Sequence, residues 1–325
     1  MSELRYNRLL AEWTATATQR QDRTFLPPAG FCPLCPTKPG GFETEVPDSD
    51  YYIAVLQNRF PSLQPDPPAP DIEGSDLFPV RPSKGVCEVV LYTPQHDASF
   101  SDLSVDRIED LLLVWTERYS SLGALDFVEY VYIFENKGTV VGVTLHHPHG
   151  QIYAYPFVPP VVERELRASS RYYDTHGRCL LCDLQQGERD DGRRIVGENE
   201  DFVAYVPFAA RYPYEVHVVT KRHSAALSDF DANQQRECAR ILKSVTRAYD
   251  KLFNQPFPYV MAMHQKPTDG GEHPYYHFHV EFYPPMRSES KLKYLAGSEL
   301  GAGMFINDTH AEEKAAELRS HWEDS

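Results

Sequence analysis

No apolar run in this 325-residue chain approaches the roughly 18 residues of a membrane span, so an integral membrane protein is not expected. Positive charge is also in short supply. The 32 Lys and Arg face 47 Asp and Glu, a formal net charge of −15. Nucleic-acid and anionic-membrane surfaces need an extended basic stripe, and neither is expected as a partner. A single nucleotide stays compatible, because two or three well-placed arginines hold one diphosphate. The first residues, Met1-Ser-Glu-Leu-Arg-Tyr6, lack the apolar segment of a secretory signal, and the expectation is a cytosolic protein. The length suits one large domain or two ordinary ones.

Cysteine is present, and a reducing compartment demands a reason for it other than disulfides. Four of the six form two C-x-x-C pairs, Cys32/Cys35 and Cys179/Cys182. Cys87, in the strand-like run Val86-Cys-Glu-Val-Val-Leu91, and Cys238, on an amphipathic helix, read as buried thiols.

The two pairs open an internal repeat. Cys32-Pro-Leu-Cys35 is followed by a strand around Val89-Val-Leu-Tyr-Thr93 and then His96, while Cys179-Leu-Leu-Cys182 is followed by Glu215-Val-His-Val-Val-Thr220 and then His223. Both histidines begin similar segments, His96-Asp-Ala-Ser-Phe-Ser-Asp-Leu-Ser104 and His223-Ser-Ala-Ala-Leu-Ser-Asp-Phe-Asp231. Each segment leads into a helix. Ile108, Leu111, Leu112, Trp115 and Tyr119 mark one apolar stripe behind an N-cap at Ser104. Cys238, Ile241, Leu242, Val245, Tyr249 and Leu252 mark the other behind Asp231. An aromatic strand follows each helix, Phe127–Phe134 and Phe257–Met263, and each copy closes on H-x-H, His147/His149 and His277/His279. The order predicts two related α+β halves, residues 1–160 and 161–325, each a mainly antiparallel sheet with a packed helix. They join near the helical stretch Val161–Arg178. Pro61 to Pro82 reads as an exposed extended loop, and Gly187 to Gly197 as a turn. A terminal helix from Thr309 is expected, with Glu312 completing a capping box.

C-x-x-C with two later histidines is the ligand set of a closed tetrahedral Cys2His2 site, and the repeat supplies it twice. Site one is Cys32, Cys35, His96 and His147; site two is Cys179, Cys182, His223 and His277. Four protein ligands leave no open position, so structural zinc is expected at both. Thioredoxin-like chemistry is disfavoured because neither pair is read as preceding a helix. In His147-Pro-His-Gly-Gln151, with Val140-Val141 before it and Ile152-Tyr-Ala-Tyr155 after it read as extended, His147, His149 and Gln151 share one face. With His147 spent on metal, His149 is left to attack a phosphorus, and Gln151 can donate a hydrogen bond to a phosphoryl oxygen without titrating. In the second copy Val280 and Glu281 replace the glycine and glutamine beside His279, and that half is expected to have kept architecture without catalysis.

Arg5-Tyr-Asn7, Cys32-x-x-Cys35, Asn58-Arg-Phe60, Phe134-Glu-Asn-Lys-Gly138, the HPHGQ segment, Phe257-Pro-Tyr259 and Phe282-Tyr-Pro-Pro285 occur in one order over most of the chain. In this the sequence resembles the galactose-1-phosphate uridylyltransferases, the nucleotidyltransferase branch of the histidine-triad superfamily. The resemblance implies tandem histidine-triad-like halves and a homodimer. It implies a ping-pong reaction in galactose metabolism. His149 takes UMP from UDP-glucose as a covalent adduct, glucose 1-phosphate leaves, and galactose 1-phosphate accepts the UMP. By position it implies that Arg20 and Arg23 contact the diphosphate and that Asn58, Asn136 and Thr144 contact nucleotide and phosphate. It further implies that Lys293 and Glu299 belong to a sugar-binding segment reaching across the dimer.

Some positions depart from the family pattern. The resemblance implies an iron held by a glutamate and three histidines. Glu165, His264 and His279 match three of these, but Glu281 stands at the fourth, so zinc at the second cysteine pair is favoured over iron. Ser298 and Phe305 replace hexose-contacting residues, which leaves the sugar open. Two other functions compete. One is adenylyl transfer to phosphate, as in the ADP-glucose phosphorylases, which the doubled cysteine pairs also resemble. The other is a non-catalytic, zinc-stabilised nucleotide-binding protein.

Overall fold

The computed structural model describes residues 2–22, 27 and 30–325. In the first half β1 (Ser2–Asn7) and β2 (Glu12–Ala17) form a hairpin, and β3 (Ala54–Gln57), β4 (Val80–Pro82) and β5 (Val86–Leu91) precede helix α1 (Val105–Gly123). Strands β6 (Tyr130–Lys137) and β7 (His149–Tyr155) complete it. The second half starts with helices α2 (Pro160–His176) and α3 (Leu180–Asp191). Next come β8 (Ile195–Glu198), β9 (Phe202–Tyr205), β10 (Val216–Thr220), helix α4 (Ala232–Leu252), β11 (Tyr259–His264) and β12 (His279–Tyr283). A hairpin of β13 (Met286–Ser288) and β14 (Lys291–Leu292) and helix α5 (Ala311–Arg319) end the chain.

The architecture is α+β. One antiparallel sheet of nine strands runs β3-β5-β7-β6-β11-β12-β10-β9-β8, and β1, β2 and β4 make a separate three-stranded sheet. The halves repeat in mirror order about the β6–β11 pair, where Phe134 faces Ala262. They therefore share a sheet and do not form two separate ones. The core is shared as well: α1 and α4 pack against each other, and one cluster joins Trp115, Leu112 and Ile152 to Leu242, Tyr249 and Val280.

The helix starts behave as their sequence signals require. Ser104 accepts from the Arg107 N–H at 3.2 Å, and Asp231 accepts from the Gln234 N–H at 2.9 Å. The apolar stripes of both helices are buried, Leu252 partly. Other expectations need correction. Gly187 lies inside α3, and only the residues after Asp191 form the turn before β8. Buried Arg194, on Glu188 at 2.6 Å and Glu312 at 2.8 Å, ties that helix to α5. The terminal helix begins at Ala311 behind His310, and Thr309 bonds Asn307 instead of capping. Val140-Val141 lies in a helical turn, Thr139–Val141, and is not extended.

Candidate active site and metal centres

Strand β7 begins at His149, and its alternation buries Gly150, Ile152 and Ala154 while His149, Gln151 and Tyr153 share the other face. His147 lies just ahead of the strand and is buried. The Thr93 carbonyl accepts from His147 Nε2 at 2.8 Å, with Tyr51 Oη 2.7 Å from the same nitrogen, so Nδ1 keeps its lone pair. That Nδ1 is 3.5 Å from Cys35 Sγ, and His96 Nδ1 is also 3.5 Å from it. The second half repeats this arrangement. His277 Nε2 is 3.1 Å from the Thr220 carbonyl, and its Nδ1 lies 3.5 Å from Cys179 Sγ and 3.3 Å from Cys182 Sγ, with His223 Nδ1 3.7 Å from Cys182.

These spacings test the metal reading. A tetrahedral ion with bonds of about 2.3 Å to sulfur and about 2.1 Å to nitrogen sets sulfur and nitrogen about 3.6 Å apart. The observed pairs lie between 3.3 and 3.7 Å. In each set the donor atoms all fall within 4.8 Å of one another. Burial, then Cys32, push the Cys35 thiol up to about 11, and burial pushes His147 down to about 4. A neutral imidazole suits a ligand, and a cation among the sulfurs would displace the thiol protons. Both sets fit a metal ion, with the threonine carbonyls orienting the imidazoles behind it. One correction concerns Cys179, which is the N-cap of α3, so the second pair does precede a helix; the two converging histidines still favour metal over redox chemistry.

His149 hangs from the first metal set. Its Nδ1 donates to the His147 carbonyl at 2.7 Å, which leaves the lone pair on Nε2. Gln151 is oriented too: Oε1 accepts from Asn58 Nδ2 at 3.5 Å and Tyr153 Oη at 3.4 Å, so its NH2 is the end left to donate. Arg20 Nη1 bonds the Phe60 carbonyl at 3.2 Å and Tyr153 Oη at 3.4 Å. These residues line a cavity of about 550 Å³ with Asn136 and Thr144, floored by apolar Leu34, Phe60 and Val89. Gly150 is required by packing, since a Cβ there would lie 2.3 Å from Tyr92 Oη. Behind this wall, Glu135 is fully buried between Tyr92 Oη and Tyr259 Oη, each at 3.3 Å, and burial pushes its carboxyl up to about 7.

The cavity thus gathers His149, Gln151, Arg20, Asn58, Asn136 and Thr144. Arg23 lies outside the described residues. Lys293 and Glu299 do not line the cavity and pair with each other at 3.2 Å. Tyr153 joins the site from the same face, two residues after Gln151, which its place in the strand signals; Tyr51 and Leu34 carry no local signal.

Residues 1–159 match the family described as galactose-1-phosphate uridyl transferase, N-terminal domain, and residues 165–324 match its C-terminal domain. The chain belongs to the galactose-1-phosphate uridylyltransferase family. A galactose-1-phosphate uridylyltransferase of Thermotoga maritima is 42% identical over 320 residues, 98% of each chain, and that of rat is 31% identical over 97% of this chain and 86% of its own. A solved uridylyltransferase superposes with a TM-score of 0.87 at 36% identity over 98% of both chains. An ADP-glucose phosphorylase from Arabidopsis thaliana with bound ADP-glucose gives 0.73 at 25% identity, also over 98% of both. The α+β fold is common to both of these solved structures. Among the described residues no helix is long and apolar enough to cross a membrane.

Proposed function

We propose that this chain is a UDP-glucose–hexose-1-phosphate uridylyltransferase working through a covalent uridylyl-histidine. The observation that carries the reading is the fixed tautomer of His149, with Nδ1 held by the His147 carbonyl, in a cavity that also holds the Gln151 amide and Arg20. Nε2 attacks the α-phosphorus of UDP-glucose, the N–P bond forms, and the bond to the bridging oxygen breaks. Glucose 1-phosphate leaves with those electrons. A phosphate oxygen of galactose 1-phosphate then attacks the same phosphorus, the N–P bond breaks and His149 returns to its starting form. Two in-line displacements replace one difficult transfer between anions. Gln151 donates to a non-bridging oxygen as charge builds there, Arg20 (with Arg23) neutralises the diphosphate, and Asn58, Asn136 and Thr144 position nucleotide and phosphates.

Zinc at both Cys2His2 sets is part of this proposal. When bound it supplies no chemistry to the transfer and holds the loops that position His147 and His277. Residues 1–160 form the catalytic half and 161–325 the supporting half. Lys293 and Glu299 serve the sugar site of a partner chain in a homodimer, which accounts for their distance from their own cavity. The cytosol, which keeps thiols reduced, is the compartment that suits the free cysteines.

Product analysis with UDP-glucose plus galactose 1-phosphate, beside ADP-glucose plus phosphate, tests the reading. UDP-galactose and glucose 1-phosphate are the expected products. Turnover of the adenine nucleotide alone would instead identify an adenylyl-transferring phosphorylase, and turnover of neither a nucleotide-binding protein.

A further inference from the structure

The strand register carries the nucleotide face of the first half onto the second. Val89 lies opposite Gln151 on β5 and β7, and His217 lies opposite Glu281 on β10 and β12. Leu91 opposite His149 corresponds in the same way to Val219 opposite His279. His217, Glu281 and Tyr283 therefore stand where the working half has Val89, Gln151 and Tyr153. An apolar floor and a neutral amide have become a buried charged cluster.

Its contacts are closed on themselves. Glu281 accepts from Arg211 Nη2 at 2.8 Å and from Tyr283 Oη, and lies 3.2 Å from His217 Nε2. Glu215 accepts from the Arg211 backbone N–H at 2.6 Å and from His217 at 3.0 Å. Glu165, reaching in from α2, accepts from His264 Nδ1 at 2.9 Å and Tyr276 Oη at 2.8 Å. The Arg211 guanidinium is further held 4.8 Å over the Tyr283 ring.

We infer that Arg211 is the cation of this cluster in place of a metal ion. The iron that the family resemblance implies at Glu165, His264 and His279 does not fit these residues, although their donor atoms lie within 4.8 Å of one another. The Glu165 oxygen nearest His264 already accepts two hydrogen bonds. The fourth position is a carboxylate whose Oε2 is held by the Arg211 guanidinium, so it is not available to a metal ion as the family's histidine would be. The second half has kept the strand register of the first and carries ion pairs on the corresponding face, with Glu165 joining α2 to the sheet through His264.

Metal content measured on purified protein after exposure to Zn2+, Mn2+ or Fe2+ and dialysis tests this without reference to activity. Wild type is expected to hold about two ions per chain, one for each Cys2His2 set. Glu165→Gln leaves that count unchanged, and Arg211→Met, which strips the guanidinium from Glu215 and Glu281, gains a third. A wild-type count near three that falls on Glu165→Gln overturns the inference. So does a soluble Arg211→Met protein that stays at the wild-type count. If Arg211→Met does not fold, the wild-type and Glu165→Gln counts still decide the matter.

Discussion

At position 151 an amide must present its NH2 to the substrate, and its neighbours decide which end that is. Asn58 and Tyr153 both donate to Oε1, so the donor end is fixed without a charge to titrate. Tyr153→Phe removes one of the two donors and the partner of Arg20. We expect kcat to fall about tenfold with KM for UDP-glucose nearly unchanged, as steady-state kinetics will show. Glu135 makes a separate prediction. Its folded-state pKa of about 7 lies above the ordinary carboxylate value because the site is buried. The folded protein therefore binds that proton more tightly than the unfolded chain. The stability so gained is full below the unfolded pKa and is lost as pH rises to about 7. Thermal unfolding followed from pH 5 to 8 should show wild type losing stability relative to Glu135→Gln across that window.

Among the elements, the face of β7 that carries His149 and Gln151 was legible in the sequence, as was the grouping of each C-x-x-C pair with two histidines, while His147 falls ahead of the strand. Period-two alternation fixes side-chain direction, and C-x-x-C repeated with two histidines points to the four side chains that come together in each half. The helix caps at Ser104 and Asp231 were legible for the same reason, since the capping side chain is local. Gly187 misled because α3 is held by contacts from beyond its own end: Arg194 pairs with Glu188 of the helix and also reaches Glu312 of α5. The pairing of β1 with β4 and the contact of Tyr51 with His147 depend on partners far along the chain, and no local pattern announces them. The metal sets differ in what they support. The first holds His147, whose carbonyl orients His149, whereas the second anchors His277 in the other half. Cys32→Ser should therefore cost a metal ion and most of the catalytic turnover, about a hundredfold. Cys179→Ser should cost a metal ion and thermal stability while the folded fraction stays active. Metal content, unfolding midpoint and kcat per folded molecule separate the two.

For the whole molecule, the repeat told of two halves but not of their fusion into one sheet. The pairing of β6 with β11 is an interaction between copies, and the residues that make it, Tyr130–Lys137 and Tyr259–His264, read as ordinary strands within each copy. Because the core is continuous across that pair, unfolding should be a single cooperative transition. Residues 1–160 expressed alone would expose the edge of β6 and the α4-facing side of α1, so they should aggregate or remain partly unfolded. Two well-separated transitions in calorimetry of the intact chain would contradict this.

If His149 forms a bond to phosphorus, UDP-glucose radioactive in the α-phosphate will label the protein when no acceptor is present. About one acid-labile, base-stable UMP per chain is expected, mapped to His149, absent in His149→Ala and discharged by galactose 1-phosphate. Label on another residue, label persisting in His149→Ala, or none in a protein that still turns over would contradict it.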